Sequence, residues 1–171
     1  MSNDSKKTIA VFGATGKQGG GVVRALQRQG TFKVRAITRD ASKAQGLADE
    51  VVEGDLTRPE TLAPALAGAH GVFVVTNFWA GPGVDELAQG KAAVAAAKEA
   101  GVEHFVWSTL PNVETISDGK FDVEHFTQKA KVDAAVEAAG FAAYTFVEAP
   151  FYFQNFTGAM APQPQDDGSK A

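Results

Sequence analysis

The chain has 171 residues, of which 44% are hydrophobic and 21% charged, and its formal net charge is −4 at pH 7. This composition is typical of a globular domain with a buried core and excludes a wholly disordered chain. A weakly acidic chain lacks the basic charge of nucleic-acid-binding proteins, so no direct nucleic-acid contact is expected. The absence of cysteine excludes disulfides, thiolate zinc sites and cysteine nucleophiles, and it fits the cytoplasmic location that we predict.

The sequence carries no pattern typical of membrane or metal-binding proteins. The first residues, MSNDSKKT, contain no apolar core of a secretory signal, and the apolar run KAAVAAAKEAGV is interrupted by charge and too short to span a bilayer. The three histidines, His70, His104 and His125, are widely separated. We therefore expect neither a membrane span nor a metal site.

Strand-like and helix-like patterns alternate along the chain. The predicted strands are residues 8–13, 32–38, 51–53, 71–77, 103–108 and 142–147. The predicted helices are residues 17–29, 40–48, 59–67, 84–100 and 122–139. Gly101 and Gly140 follow the last two helices, as C-terminal glycines commonly do.

This alternation predicts right-handed crossover units and a parallel sheet. The apolar runs TIAVF and GVFVV are typical of strands that are covered on both faces. The predicted fold class is α/β, a Rossmann-like doubly wound sheet of about six strands in the order 3-2-1-4-5-6 with helices on both faces. We assign residues 1–158 to this domain and interpret residues 159–171, which end in APQPQDDGSKA, as a polar tail or linker.

A glycine-rich turn, VFGATGKQGG, joins the first strand to the first helix. Gly13 allows a tight turn, Gly16 a close approach of the backbone to a pyrophosphate, and Gly19 close packing of helix on strand. The helix N-terminus near Lys17 and Gln18 would present N–H groups to the phosphates. The alternative is a structural turn without a ligand.

The residues after the second strand indicate which dinucleotide is bound. An acid in this position is typical of NAD sites, whereas this chain reads AITRD. The guanidinium of Arg39 matches a 2′-phosphate in charge and geometry, and Lys43 would add a second cation. Either cation could instead be a solvated surface charge, and Asp40 could serve a ribose. The pattern favours NADP(H), with NAD(H) second.

Two further strand ends border the same crevice. Asp55 in EGDL could accept a hydrogen bond from an adenine amino group beside Leu56, or it could cap a turn. Phe78 and Trp79 in TNFW either wall a nicotinamide or cover the core.

With these residues, the chain resembles the NmrA-like group of atypical short-chain dehydrogenases over nearly all of residues 7–158. The resemblance rests on the following motifs, which occur in this order: GATGKQGGGVV, TRD, GDL, TNFW, QGK (89–91), HFTQK (125–129) and APFYFQN (149–155). The family implies a Rossmann domain that binds NADP(H) and a smaller C-terminal lobe over the nicotinamide. Some members act as redox sensors or transcriptional co-regulators that bind partner proteins, and others reduce quinones or phenolic compounds.

The resemblance also implies a role for each matched residue. The implied pyrophosphate contacts are Gly13, Thr15, Gly16, Lys17, Gln18 and Gly19, and the implied 2′-phosphate contacts are Arg39 and Lys43. Asp55 and Leu56 would frame the adenine. The implied contacts of the ribose and nicotinamide are Thr76, Asn77, Phe78, Lys129, Tyr152, Phe153 and Asn155.

The chain departs from the family pattern in two places. Ordinary short-chain dehydrogenases use Tyr-x-x-x-Lys, whereas His125 stands here one turn before Lys129, and Ser108 loosely matches the catalytic serine. His125 and Lys129 are the candidate catalytic residues, although a surface role for His125 is the alternative. The family also continues into a C-terminal lobe, without which aromatic residues such as Phe151 would lack cover. We therefore expect this chain to be the cofactor domain of a longer protein, or to be covered by a partner or a second copy.

Three functions follow as hypotheses. The first is an NADP(H)-binding sensor or regulator with little turnover and a possible regulatory protein partner. The second is an NADPH-dependent oxidoreductase of quinone or phenolic and enone-like molecules. The third is an interaction module whose pocket is vestigial, which the complete glycine turn and Arg39 disfavour.

Overall fold

The computed structural model describes residues 6–158 and 160–166 and contains a six-stranded sheet. The strands are β1 (Thr8–Phe12), β2 (Lys33–Thr38), β3 (Glu50–Glu53), β4 (Gly71–Val74), β5 (His104–Thr109) and β6 (Ala143–Glu148). All neighbouring strands are parallel, and their order is β3-β2-β1-β4-β5-β6. The predicted Rossmann-like topology is confirmed.

The described α-helices lie between successive strands, except that none separates β2 from β3 and two separate β5 from β6. They are α1 (Lys17–Gln29), α2 (Leu62–Leu66), α3 (Glu86–Glu99), α4 (Val113–Ile116) and α5 (Glu124–Ala138). Helix α1 has the predicted bounds, and α3 and α5 end before Gly101 and Gly140, both of which adopt the left-handed conformation. Within the described ranges, no helix has the length and apolar character needed to cross a bilayer.

The core lies on both faces of the sheet because alternate strand residues point in opposite directions. On one face, Ala10 and Phe12 of β1 belong to a cluster with residues of α2, α3 and α5. On the other face, Val11 packs with Val23 of α1. Strand β6 lies at the edge of the sheet, and most of its residues are exposed.

Two predicted helices are shorter than expected. Residues 40–48 contain only a 3₁₀ turn, Ala41–Ala44, because the chain leaves the helical conformation at Gln45 and Gly46 adopts a φ of +76°. Residues 59–67 begin as a 3₁₀ turn, Pro59–Thr61, and continue as α2. The strand predicted at 71–77 ends at Val74, and the short α4 was not predicted.

The predicted polar tail at 159–171 falls partly outside the described residues. Of residues 160–166, which the structure describes, none is buried.

Candidate functional site

A cavity of about 1050 Å³ opens at the carboxyl ends of the strands. Its walls come from the ends of β1, β2 and β4, the start of α1, and residues 149–155 after β6. This is the crevice in which open α/β sheets bind ligands, at the point where the strand order reverses. This volume is slightly above the range of ordinary ligand pockets, which enclose about 300–1,000 Å³.

The glycine turn has the geometry that the sequence predicts. Gly13 has a φ of +65°, and the amide of Gly16 donates to the carbonyl of Gly13 at 2.8 Å. A Cβ on Gly19 would lie 2.3 Å from the Gly13 carbonyl oxygen, so only glycine allows α1 to pack this closely on β1. No side chain caps α1, which begins after Gly16. Its free N–H groups therefore fit an anionic group such as a pyrophosphate.

The β2–β3 end of the cavity is formed by Arg39, Asp55 and Leu56, and the guanidinium of Arg39 provides a positive charge there. The carboxylate of Asp55 accepts hydrogen bonds from the amide and the hydroxyl of Thr57 at 2.9 and 2.8 Å. Burial raises the pKa of Asp55, but these bonds and the charges of Arg58 and Arg39 outweigh it and lower the pKa. Asp55 therefore caps a turn while it lines the cavity.

Lys43 and Asp40 are absent from the cavity wall. The ammonium of Lys43 lies 3.0 Å from a carboxylate oxygen of Asp40, and its side chain is 82% exposed. Asp40 also accepts from the amide and the hydroxyl of Ser42 at 3.1 and 2.5 Å. Its hydrogen bonds with Ser42 and Lys43 lower the pKa of Asp40 to about 2. Arg39 is therefore the cation that the structure places at the end of β2 in the cavity wall.

The β4–β5 end of the cavity, formed by Thr76, Asn77, Phe78 and Lys129, contains a buried ion pair. Lys129 donates to a carboxylate oxygen of Glu86, to the Thr76 hydroxyl at 2.6 Å and to the Thr76 carbonyl at 3.0 Å. The Thr76 hydroxyl in turn donates to Glu86 at 2.6 Å. Burial lowers the pKa of Lys129, and the neighbouring carboxylate of Glu86 opposes this change.

Aromatic rings form the rim of this end. Phe78 packs edge-on against Trp79 at a centroid distance of 5.0 Å, and His125 lies 5.6 and 5.5 Å from these two rings. Phe126 continues the cluster at 4.9 Å from His125. The side chain of Trp79 is 75% exposed, so the rim presents aromatic surface to solvent. His125 lines the cavity but sits within this cluster.

Residues 149–157, which we name the C-terminal strap, contact the glycine turn directly. The ammonium of Lys17 donates to the side-chain oxygen of Asn155 at 2.8 Å. The side-chain oxygen of Gln18 accepts from the Tyr152 hydroxyl at 2.8 Å and from the Ser108 hydroxyl at 3.0 Å. Burial, followed by the charge of Glu86, raises the pKa of Tyr152. The strap is thus fastened to residues that are predicted to bind phosphate.

Most of the predicted site residues share one cavity. The following line it: Gly13, Thr15, Gly16, Lys17, Gln18, Gly19, Arg39, Asp55, Leu56, Thr76, Asn77, Phe78, His125, Lys129, Tyr152 and Asn155. Lys43 and Phe153 are not among the lining residues, and Phe153 is 84% exposed. Their predicted cofactor contacts, like those of the lining residues, stay predictions.

Sequence reasoning missed Glu86. It follows the N-cap residue Asp85 and resembles the acid that commonly occupies the first turn of a helix, yet its side chain is fully buried. In the described part of the chain, no cluster of three or more histidine and acidic residues could hold a metal ion.

The fold and the cavity define a Rossmann-type protein with a candidate dinucleotide site. The NmrA-like family model matches residues 5–171, so the chain belongs to the NmrA-like family. The NmrA-like family domain-containing oxidoreductase notA' of Aspergillus versicolor is 36% identical over 151 residues, which are 82% of this chain and 42% of that protein.

Solved structures give the same result. NmrA, a negative transcriptional regulator, in complex with NADP has a TM-score of 0.79 at 28% identity, covering 96% of this chain and 53% of that one. NmrA in complex with NAD matches equally well, with a TM-score of 0.79. The Citrobacter sp. triphenylmethane reductase complexed with NADP(H) has a TM-score of 0.71 at 30% identity, covering 87% of this chain and 51% of that one. The chain spans about half the length of the relatives it matches.

Proposed function

We propose that this chain is an NADP(H)-binding domain that acts as a redox sensor or regulator with little intrinsic turnover. The observation that carries the proposal is the double use of Lys17 and Gln18. Both residues line the candidate pyrophosphate site, and both hold the C-terminal strap through Asn155 and Tyr152. A ligand at the glycine turn therefore competes with the strap for the same side chains, which links occupancy of the site to the position of the strap.

The chain's own groups supply the binding chemistry. The uncapped N-terminus of α1 binds the pyrophosphate, and Arg39 binds the 2′-phosphate through charge-assisted hydrogen bonds. The nicotinamide half then lies toward Thr76, Phe78 and Lys129, because a dinucleotide extends to both sides of the switch point. When bound, NADP(H) supplies hydride chemistry at its nicotinamide ring.

The strap is a suitable output element. Its aromatic residues Phe151, Phe153 and Phe156 are 45%, 84% and 52% exposed. Exposed aromatic side chains in one segment favour protein contacts, so a regulatory protein partner, or further polypeptide of the same protein, would dock there. The proposal includes residues 1–158 as the cofactor domain, residues 159–171 as a tail or linker, and a cytoplasmic location.

Hydrogen exchange tests the sensor function. Saturating NADPH should change the exchange rates of amides in residues 149–157, and Lys17→Ala, which already lacks the Asn155 contact, should show a smaller change there. Lys7→Ala, which removes a lysine outside the cavity, is the control. Binding of NADPH with no change in the strap would contradict the sensor mechanism.

The alternative is an NADPH-dependent oxidoreductase of quinone or phenolic and enone-like compounds. The aromatic rim favours it, because Phe78, Trp79 and His125 offer ring surface beside the β4–β5 end. Relatives such as notA' are named oxidoreductases. Oxidation of NADPH that depends on an added quinone, and that is lost in His125→Phe, would favour this function over the sensor.

A further inference from the structure

The ion pair between Glu86 and Lys129 joins three elements that are distant in sequence. Glu86 begins α3, Lys129 lies in α5, and Thr76 follows β4. The three N–H groups of the Lys129 ammonium have three acceptors: Glu86, the Thr76 hydroxyl and the Thr76 carbonyl. Each N–H group of the ammonium therefore has an acceptor within the protein, although the side chain of Lys129 lines the cavity.

The surroundings of Glu86 hold it in place. Its amide donates to the side-chain oxygen of Gln128 at 2.7 Å, which fastens α3 to α5. The two helices also approach closely at Gly90, where a Cβ would lie 2.5 Å from a methyl group of Val132. The second carboxylate oxygen of Glu86 is buried without a partner in the described part of the chain, so its charge depends on Lys129 and Thr76.

This pair places two opposite charges where the nicotinamide half of NADP(H) is expected. The oxidised nicotinamide ring carries a positive charge, and the reduced ring is neutral. An unpaired ammonium in this position would repel only the oxidised ring, whereas a paired one presents little net charge. Charge balance at this end therefore affects the relative affinity for the two cofactor forms.

We infer that Glu86 is the positioning residue of the β4–β5 end: it holds Lys129 against Thr76 and cancels the ammonium charge that would otherwise face the nicotinamide. This inference rests on the proposed NADP(H) binding. It assigns to Lys129 a role in holding the end of β4, from which Asn77 and Phe78 extend into the cavity wall, through Thr76.

The test is calorimetric titration with NADP⁺ and NADPH at pH 6.5, well below the ordinary lysine pKa of about 10.4. Glu86→Gln should shift the ratio of the two affinities about fourfold toward NADPH, the effect of one unit charge about 10 Å away at an effective dielectric constant of about 40. The double variant Glu86→Gln with Lys129→Met has no net charge at the pair, so its ratio should return to within about twofold of the wild type.

Two controls separate charge from shape. Glu99→Gln makes the same change at the other end of α3, about 20 Å away, and should leave the ratio unchanged. Adenosine 2′,5′-bisphosphate has no nicotinamide, so its affinity should be the same in every variant. Loss of packing alone would weaken both cofactor forms together and leave their affinity ratio at the wild-type value.

An unchanged ratio in Glu86→Gln, or a double variant that keeps the shift, would overturn the inference. If Glu86→Gln does not fold, as judged by thermal melting, Lys129→Met decides. It removes the ammonium and keeps Glu86, so the ratio should then shift toward NADP⁺, whereas no shift or the opposite shift overturns the inference. If the wild-type chain binds NADP(H) but the affinity ratios of the variants are unchanged, the inference fails and the proposed function stands. If the wild-type chain binds neither NADP⁺ nor NADPH, both the inference and the proposed function fail.

Discussion

The two ends of the cavity are built in different ways. The β2–β3 end and the adjoining glycine turn depend on backbone geometry and on Arg39, all within short stretches of sequence. The β4–β5 end depends on Thr76, Glu86 and Lys129, which are brought together only by packing of α3 against α5. The first end is determined by local sequence, and the second is determined by tertiary structure.

The largest effect is expected at the glycine turn. Gly19→Ala would place a Cβ 2.3 Å from the Gly13 carbonyl oxygen, so helix and strand must separate. We expect a loss of about 3 kcal/mol in the free energy of unfolding and loss of NADPH binding. Gly21→Ala on the same helix meets only the end of the Arg24 side chain, at 4.0 Å, and should stabilise by up to about 1 kcal/mol. Urea denaturation of both variants measures the difference, and equal stabilities would contradict the close packing.

The next largest effect concerns Arg39, the cationic residue at the β2–β3 end of the cavity. Arg39→Ala should weaken NADPH binding about ten- to hundredfold and leave NADH binding nearly unchanged, because a hydrogen bond to a charged group contributes about 1.5–3 kcal/mol. Lys43→Ala should change either affinity less than about threefold, since Lys43 pairs with Asp40 outside the cavity wall. Calorimetric titration distinguishes the two, and a larger loss in Lys43→Ala would mean that Lys43 moves to the phosphate.

A smaller effect is expected at the strap. Asn155→Ala frees the ammonium of Lys17, so NADPH should bind about two- to tenfold more tightly, which corresponds to one ordinary hydrogen bond. Gln154→Ala changes the neighbouring exposed side chain and should have no effect. Weaker binding in Asn155→Ala would show that Asn155 contacts the cofactor instead of competing with it.

The smallest effect concerns acid stability. The pKa of Asp55 is lowered in the folded chain, so its contribution to stability is present above the unfolded pKa, about 3.9, and is lost as the pH falls through the folded value. Asp55→Asn should therefore flatten the dependence of stability on pH below about 4. Thermal melting across this range measures it, with Asp118→Asn at an exposed turn as the control. If stability depends on pH with the same slope in the wild type and in Asp55→Asn, the lowered pKa of Asp55 is contradicted.

The topology was predicted well because it depends on local patterns, and Arg39, Asp55 and Leu56 line the cavity as expected whereas Lys43 does not. Continuous apolar strands, helical periodicity and the spacing of Gly13, Gly16 and Gly19 are properties of neighbouring residues. The helix predicted at 40–48 was wrong because Gly46 adopts the left-handed conformation, which ends the 3₁₀ turn after Ala44.

The β4–β5 end could not be predicted in the same way. Glu86 has the sequence context of an ordinary first-turn acid, and its pairing with Lys129 spans 43 residues. The contact of Lys17 with Asn155 spans 138 residues. No short pattern specifies such contacts, because they follow from how α3, α5 and the strap pack onto the sheet.

The most direct measurement is titration of the wild-type chain with NADPH and with NADH. We expect NADPH to bind at least about tenfold more tightly than NADH, because Arg39 lies in the cavity wall at the end of β2. Equal affinities for NADPH and NADH, or no binding of either dinucleotide, would contradict an NADP(H)-selective site at this cavity.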